Sequence, residues 1–248
     1  MNHPSPGLIM AIFIVLVCAS CTNSPARESA NSPVIRPTQV TDFNVLFGEN
    51  CAGCHGSQGK GGAAIPLSDP VFLTIADDAT IRRIATNGVT GTPMPAFAQS
   101  AGGMLTDKQI DAIVTGIRTR WAKPDMLRDA NPPPYRAQEA SGDPAHGAAV
   151  YATYCSSCHG PDGRGSKKAS SIVDGSYLAL VSDQDLRTIV IIGRPDLGAP
   201  DWRGDVPGKP MSAQEISDVV AWLAAQRPKV PGQPYPAPSP NSAKGELP

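Results

Sequence analysis

The sequence CAGCHGSQGKG at residues 51–61 returns as CSSCHGPDGRG at residues 155–165. Both stretches hold two cysteines, a histidine and three glycines at the same spacing, and the cysteines and histidines are Cys51, Cys54, His55, Cys155, Cys158 and His159. Later landmarks keep almost the same separation. Gly193 follows Gly88 by 105 residues, and Ile216 follows Ile110 by 106. A nearly constant offset indicates an internal repeat, so the chain is predicted to hold two like domains in tandem.

The CxxCH pattern is typical of covalent attachment of c-type haem. Two residues between the cysteines place both sulfurs at one edge of the porphyrin, where they add across the vinyl groups. The adjacent histidine then reaches the iron from the proximal side. A thioredoxin-like redox pair or half of a zinc site are the competing interpretations. A redox pair does not need the histidine, and a zinc ribbon would not come with duplicated helical repeats, so two haem c groups are predicted.

Each repeat is predicted to be helical, which makes the fold class all-α, with a small helical bundle around each covalent haem. Helices are expected over residues 42–50 and 144–154, directly before the two CxxCH motifs. Each repeat also ends in an apolar pattern at helical spacing, preceded by a capping box. These boxes begin at Thr106 and Ser212, with Gln109 and Glu215 three residues later.

The sixth ligand of the first haem iron is predicted to be Met94. It lies between Pro93 and Pro95 in a loop, and a methionine thioether is a soft ligand that favours ferrous iron. Two flanking prolines hold such a loop stiffly. Met104, directly before the last helix of the repeat, is expected to pack in the core and is the second candidate.

The second repeat differs at the corresponding place. The offset that aligns the glycines puts Ala199 opposite Met94, and alanine cannot bind iron. Met211 is the remaining candidate ligand of the second iron, although it aligns with Leu105, a position expected to pack. The alternatives are therefore coordination by Met211, a five-coordinate iron, or another ligand. His146, in the helix before the second motif, is expected to lie at the surface.

Both repeats resemble class I c-type cytochrome domains of the bacterial cytochrome c family. The residues that carry the resemblance are the extended CxxCHGxxGxG motif, the TPMPAF loop at residues 92–97, and the capped terminal helices. The tandem arrangement is similar to dihaem electron carriers and to the dihaem subunits of terminal oxidases. In related domains the second loop would contain methionine where this chain has Ala199.

The amino terminus is predicted to be an export signal of the lipoprotein type. An apolar run over residues 8–19 is too short to span a bilayer and leads into Cys21, the expected lipidation site. Simple secretion or an uncleaved anchor are the alternatives. Cys18 would leave with the signal, so no cysteine remains outside the CxxCH motifs to build a disulfide framework.

Composition excludes some functions. The chain has 21 basic and 22 acidic residues and a net charge of −1, with no basic stripe, which does not favour binding to nucleic acid. The predicted organisation is a signal at 1–21, a flexible tether at 22–40, a first cytochrome domain at 41–123, a proline-rich linker at 124–141, a second domain at 142–227 and a disordered tail at 228–248.

The sequence therefore predicts a periplasmic, membrane-anchored dihaem cytochrome that relays single electrons between redox protein partners, without catalytic residues of its own. Two alternatives remain open at this point. One is a peroxidase-like enzyme that uses an open second haem, which Ala199 would favour. The other is a haem subunit that works only inside a larger membrane complex.

Overall fold

The computed structural model describes residues 35–137, 142–204 and 206–229. The chain divides into two compact units, at residues 1–39 and from Val40 onward. In the first unit, the described residues contain one 3-10 turn, Pro37–Gln39. The prediction of a signal and of lipidation at Cys21 lies outside the described residues, as does most of the predicted tail.

The second unit contains both repeats, and each repeat contributes five helices to the described part of the chain. The helices of the first repeat are α1 (Phe43–Asn50), α2 (Ala52–His55), α3 (Pro70–Ile75), α4 (Asp78–Asn87) and α5 (Asp107–Trp121). Those of the second are α6 (Pro144–Tyr154), α7 (Ser156–His159), α8 (Gly175–Leu180), α9 (Asp183–Ile192) and α10 (Ala213–Ala225). Across the described residues there is no β-strand, only isolated bridges. The all-α prediction is confirmed.

The predicted helix boundaries are confirmed to within a residue. Helix α1 begins at Phe43 rather than at residue 42, because Asp42 is its N-cap and accepts a hydrogen bond from the Val45 amide. Helix α6 covers the predicted range and has Asp143 as its cap. Both predicted capping boxes are formed, at the starts of α5 and α10.

In each repeat the first helix packs across the last one, and a glycine makes the close approach possible. A Cβ atom on Gly147 of α6 would lie 2.0 Å from the carbonyl oxygen of Asp218 on α10. A Cβ atom on Gly116 of α5 would lie 2.0 Å from the Phe43 ring. A larger residue at Gly147 would force the helices apart, because it would meet backbone, whereas at Gly116 it would displace the Phe43 ring. This crossing sets the position of the CxxCH turn that follows the first helix.

One cluster of buried apolar side chains draws on both repeats. It includes Phe47 and Ile110 from the first repeat and Tyr151 and Ile216 from the second. The linker contributes to the same cluster through Leu127, which is 5% exposed. The two repeats and the segment between them therefore share a hydrophobic core. No helix within the described ranges is long and apolar enough to cross a bilayer.

Candidate haem sites

Each CxxCH motif forms one helical turn at the end of the leading helix. The Cys51 amide donates to the Phe47 carbonyl over 2.9 Å, and the His55 amide donates to the Cys51 carbonyl over 3.0 Å. The second motif repeats both bonds, from Cys155 to Tyr151 over 2.9 Å and from His159 to Cys155 over 3.0 Å. The predicted cysteines and histidines are thus brought together on one turn in each repeat.

Each proximal histidine is oriented by a backbone carbonyl. The Nδ1 atom of His55 lies 2.7 Å from the Ile65 carbonyl oxygen, and that of His159 lies 2.8 Å from the Ser170 carbonyl oxygen. Because a carbonyl can only accept, Nδ1 carries the proton in both rings and Nε2 is left to bind a metal. Burial lowers the pKa of His55, which favours the neutral ligand form.

The donor sets fit a c-type haem. Cys51, Cys54 and Cys158 are free thiols, as thioether formation requires. Before a haem is attached, burial raises the pKa of the Cys51 thiol to about 12, with the Cys54 thiol adding to the shift. No group of three His, Cys, Asp or Glu side chains that could hold a metal ion occurs within the described ranges. In each repeat the motif supplies two sulfurs and one imidazole nitrogen, which are the protein's share of a covalent haem site.

Met94 lies in a loop that is held by its own backbone. The Met94 carbonyl accepts from the Val89 amide over 3.0 Å, and its amide donates to the Thr92 hydroxyl over 3.2 Å. The side chain is partly buried. Gly88 at the start of the loop has φ +66°, and a Cβ atom there would lie 2.6 Å from the Met94 carbonyl oxygen. Glycine is therefore required to fold this loop back onto α4.

The second repeat builds the same loop around alanine. The Ala199 carbonyl accepts from the Arg194 amide over 3.0 Å, as Met94 accepts from Val89. Gly193 has φ +67° and approaches the Pro200 and Ala199 carbonyls as Gly88 approaches its own loop. The structure therefore places Ala199 in the backbone position of Met94.

Met211 lies in the position that Leu105 holds in the first repeat. The Met211 amide donates to the Trp202 carbonyl over 2.8 Å, and the Leu105 amide donates to the Phe97 carbonyl over the same distance. Both side chains are buried, at 5% and 6% exposure. Met104 was expected in the core, and that expectation is wrong. Its side chain is 80% exposed, because Leu105 and not Met104 turns inward before α5.

His146 has a partner that the sequence did not indicate. Its side chain is 55% exposed, as a surface residue should be, yet Nδ1 lies 2.6 Å from the Asp218 carboxylate. Asp218 is only 2% exposed and also accepts from the Asp143 amide and the Gln214 side chain, each over 2.8 Å. This cluster joins the start of α6 to α10. The carbonyls of Ile65 and Ser170 were also missed, since a backbone acceptor leaves no signal in side-chain identity.

Two helical repeats, each with a CxxCH turn and a carbonyl-anchored histidine, define a tandem c-type cytochrome. The family model for "Cytochrome C oxidase, cbb3-type, subunit III" matches residues 38–115 and 142–223. These segments cover more than half of the chain and one complete motif each. The chain belongs to this family, and it carries two haem c groups, one in each repeat.

Curated relatives are subunits of the same kind of oxidase. The Azospirillum sp. (strain B510) protein "Cbb3-type cytochrome c oxidase subunit CcoP" is 34% identical over 140 residues, covering 52% of this chain and 41% of the relative. The FixP subunit of Azorhizobium caulinodans is 27% identical over 170 residues, with 64% and 52% covered. That of Sinorhizobium medicae is 30% identical over 166 residues, with 61% and 50% covered. The chain spans about half the length of these relatives.

Proposed function

We propose that this chain relays single electrons through its two haems to or from a larger membrane redox complex. The observation that carries the proposal is the pair of equivalent CxxCH turns, each with a histidine held in the iron-binding tautomer, within one compact unit. The haem supplies a one-electron Fe(III)/Fe(II) couple. The chain supplies the thioether cysteines, the oriented imidazoles and the apolar surroundings that tune the potential.

We propose Met94 as the sixth ligand of the first iron. Its loop is held by backbone hydrogen bonds, the flanking prolines restrict its backbone, and its side chain is partly buried rather than packed in the core. A six-coordinate iron with a thioether ligand exchanges electrons without binding substrate. For the second iron, Met211 is the candidate thioether. The alternative is that Met211 packs as Leu105 does and the iron has no methionine ligand.

The Met211 assignment is tested by counting Fe–S(Met) bonds in the oxidised protein by magnetic circular dichroism. Two such signals, one of which disappears in Met211→Leu, support coordination by Met211. A single signal that survives Met211→Leu contradicts it and gives Met211 the packing role of Leu105.

The partner class is suggested by the relatives, which are named as subunits of cbb3-type cytochrome c oxidases. We therefore propose that the redox partners are membrane proteins of a respiratory complex, with this chain as a haem subunit or as a carrier that docks onto it. Co-purification of the native chain from membranes distinguishes a stable subunit from a free carrier. A peroxidase-like role gains no support from the oxidase-subunit relatives, and we assign no catalytic residue.

We propose a periplasmic location with an anchor at the amino terminus, formed by lipid on Cys21. The support is the short apolar run at residues 8–19, with Cys21 two residues after its end. Anchoring would hold the haems near a membrane partner and raise their effective concentration there. Cys21→Ser should move the haem protein from the membrane to the soluble periplasmic fraction. Retention of the variant in the membrane would instead indicate an uncleaved apolar anchor.

The relay function is tested by a redox titration of the intact holoprotein followed at the haem bands. We expect two one-electron steps, and we expect both haems to be reoxidised by a membrane oxidase preparation. A protein in which only one haem takes up an electron reversibly would contradict the proposal.

A further inference from the structure

An arginine–aspartate pair on the second repeat reaches across to the first. Arg194 and Asp196 form a two-point ion pair, with Nε to Oδ1 and Nη2 to Oδ2 distances of 2.9 Å each. The two side chains are only 15% and 11% exposed. The Arg194 Nη2 atom also donates to the Gly62 carbonyl over 3.0 Å, and Asp196 Oδ2 accepts from the Gly61 amide over 3.1 Å. We call this pair, with its two contacts, the inter-repeat clasp.

The clasp binds the attachment loop of the first haem. This loop is the glycine-rich segment after the first CxxCH motif; Gly61 and Gly62 lie six and seven residues after His55, and Gly62 lies against the backbone of the motif. A Cβ atom on Gly62 would lie 2.1 Å from the Cys54 carbonyl oxygen and 2.7 Å from the Gly56 amide nitrogen. There is therefore no room for a side chain at position 62, and the backbone that the clasp binds packs directly against the peptide of Cys54, a haem-binding cysteine.

The other end of the clasp is the loop that carries Ala199. Arg194 and Ala199 exchange two backbone hydrogen bonds, each of 3.0 Å. Ala199 holds the backbone position of Met94. With Met94 as the proposed sixth ligand of the first iron, this loop would occupy the equivalent distal place at the second haem. Arg194 thus joins that loop to the attachment loop of the first haem through a short series of hydrogen bonds.

The arginine–aspartate pair of the clasp has no counterpart in the first repeat. The positions that correspond to Arg194 and Asp196 in the first repeat are Val89 and Gly91, neither of which can form an ion pair. The duplicated loop therefore carries Met94 in the first repeat, and in the second repeat it carries the ion pair that contacts the first repeat. A half-buried two-point pair of this kind fixes geometry more than it adds stability, because desolvation offsets much of its attraction.

We propose that Arg194 and Asp196 are positioning residues for electron transfer between the two haems. They hold the distal loop of the second haem against the attachment loop of the first and so fix the distance between the haem edges. This role rests on the proposed relay function. Because the pair is neutral overall, its main effect is on distance and contact, and the two midpoint potentials depend on it only weakly.

The test uses the full-length holoprotein with both haems attached. One haem is reduced by a laser pulse, and the equilibration of the electron with the other haem is followed optically at several protein concentrations. In Arg194→Met/Asp196→Asn we expect the concentration-independent rate to fall several-fold, because electron tunnelling slows steeply as the haem edges move apart. We expect both midpoint potentials and the Fe–S(Met) signals to stay as in the wild type.

The control is Asp125→Asn/Arg128→Met, which removes an ion pair of the linker, outside both haem-attachment motifs, at side-chain exposures of 74% and 70%. We expect its rate to equal that of the wild type. Arg194→Lys keeps the positive charge but loses the two-point contact of the guanidinium group. We expect its electron-transfer rate to lie between those of the wild type and the double variant. If the double variant fails to mature, Arg194→Lys alone decides the question.

The outcomes separate the two proposals. A wild-type rate in the clasp variants overturns the positioning role and leaves the relay function intact. A wild-type protein whose haems do not exchange electrons at all contradicts the relay function and the positioning role together. A slower rate that comes with shifted potentials also overturns the positioning role, because the clasp would then act on driving force instead of distance.

Discussion

At the scale of single residues, the two repeats differ most at the paired positions of Met94 and Ala199. Their carbonyls accept equivalent hydrogen bonds, so the loop fold does not depend on the side chain. Both loops share a glycine with positive φ and an equivalent backbone bond. The side chain can therefore change the chemistry at the iron without changing the fold, and the two haems can differ in potential.

We expect Met94→Leu to abolish one Fe–S(Met) signal and to lower one midpoint potential by on the order of 0.1 V, within the range of about 0.8 V that axial ligands span. Leucine keeps the volume but cannot bind iron. Potentiometric titration with magnetic circular dichroism is the measurement. Met104→Leu is the control, since this side chain is 80% exposed, and it should change neither quantity.

His146 gives the second repeat a pH-dependent contact. The hydrogen bond to Asp218 raises the pKa of His146 above its ordinary value of 6.5, and the charges of Asp218, Asp143 and Glu215 add to this effect. Burial acts to raise the pKa of Asp218, but its hydrogen bonds outweigh burial and lower it. A histidine whose folded pKa is raised contributes stability below pH 6.5 that is lost as the pH rises through the folded pKa.

We expect the wild type to be more stable than His146→Gln at about pH 6 and to lose this advantage as the pH rises through the raised pKa of His146. Urea denaturation of the holoprotein at a series of pH values measures the difference in midpoint. Gln214→Ala removes a bond to the same carboxylate without a titrating group, so its effect should be constant over this pH range. A pH-independent difference for His146→Gln would contradict the prediction.

At the scale of elements, two arginines bind equivalent sets of acceptors although they do not occupy equivalent positions in the two repeats. Arg118 near the end of α5 binds the Leu73 and Ala76 carbonyls and the Asp78 carboxylate. Arg227, beyond the end of α10, binds the corresponding set in the second repeat, Leu178, Val181 and Asp183. The acceptors keep the offset of 105 residues, whereas the arginines lie 109 apart. In each repeat the arginine ties the last helix to the turn between two shorter ones.

We expect Arg118→Ala and Arg227→Ala each to reduce the free energy of unfolding by about 2 kcal/mol, because partly buried carbonyls lose charged donors. Chemical denaturation followed by circular dichroism measures the change. Arg128→Ala is the control: its ion pair with Asp125 is 70% and 74% exposed, and it should stay within about 0.5 kcal/mol of the wild type. Equal stability of all three variants would contradict the role of the two arginines.

At the scale of the whole molecule, the predicted linker is packed against the second repeat. The Pro134 carbonyl accepts from Arg187 Nε and Nη2 over 3.2 and 2.9 Å, and the Tyr135 carbonyl accepts from Gln184 over 2.8 Å. Arg187 is 3% exposed. Its counterpart Arg82 pairs with Asp107 and Asp111 instead, positions that become alanine and serine in the second repeat. The loss of those carboxylates leaves Arg187 available to hold the linker.

We expect Arg187→Ala to release the linker and to speed tryptic cleavage after Arg136 several-fold, because cleavage requires local opening of the chain. Gel electrophoresis with haem staining of the intact holoprotein follows the reaction. Arg82→Ala, which removes the equivalent side chain of the first repeat, should leave this cleavage rate unchanged. Equal rates in wild type and Arg187→Ala would contradict the anchoring of the linker.

The sequence by itself determined the features that depend on neighbours in the chain. The CxxCH turns, the capping boxes and the helices before each motif follow from spacings of a few residues, and the duplication follows from a constant offset. The tertiary structure alone decided the features that depend on distant partners. The carbonyls that orient His55 and His159, the three acceptors of Arg227 and the inter-repeat clasp join residues 10 to 135 positions apart. Backbone acceptors carry no side-chain signal, and an ion pair such as Arg194–Asp196 does not reveal in the sequence which loop it will meet.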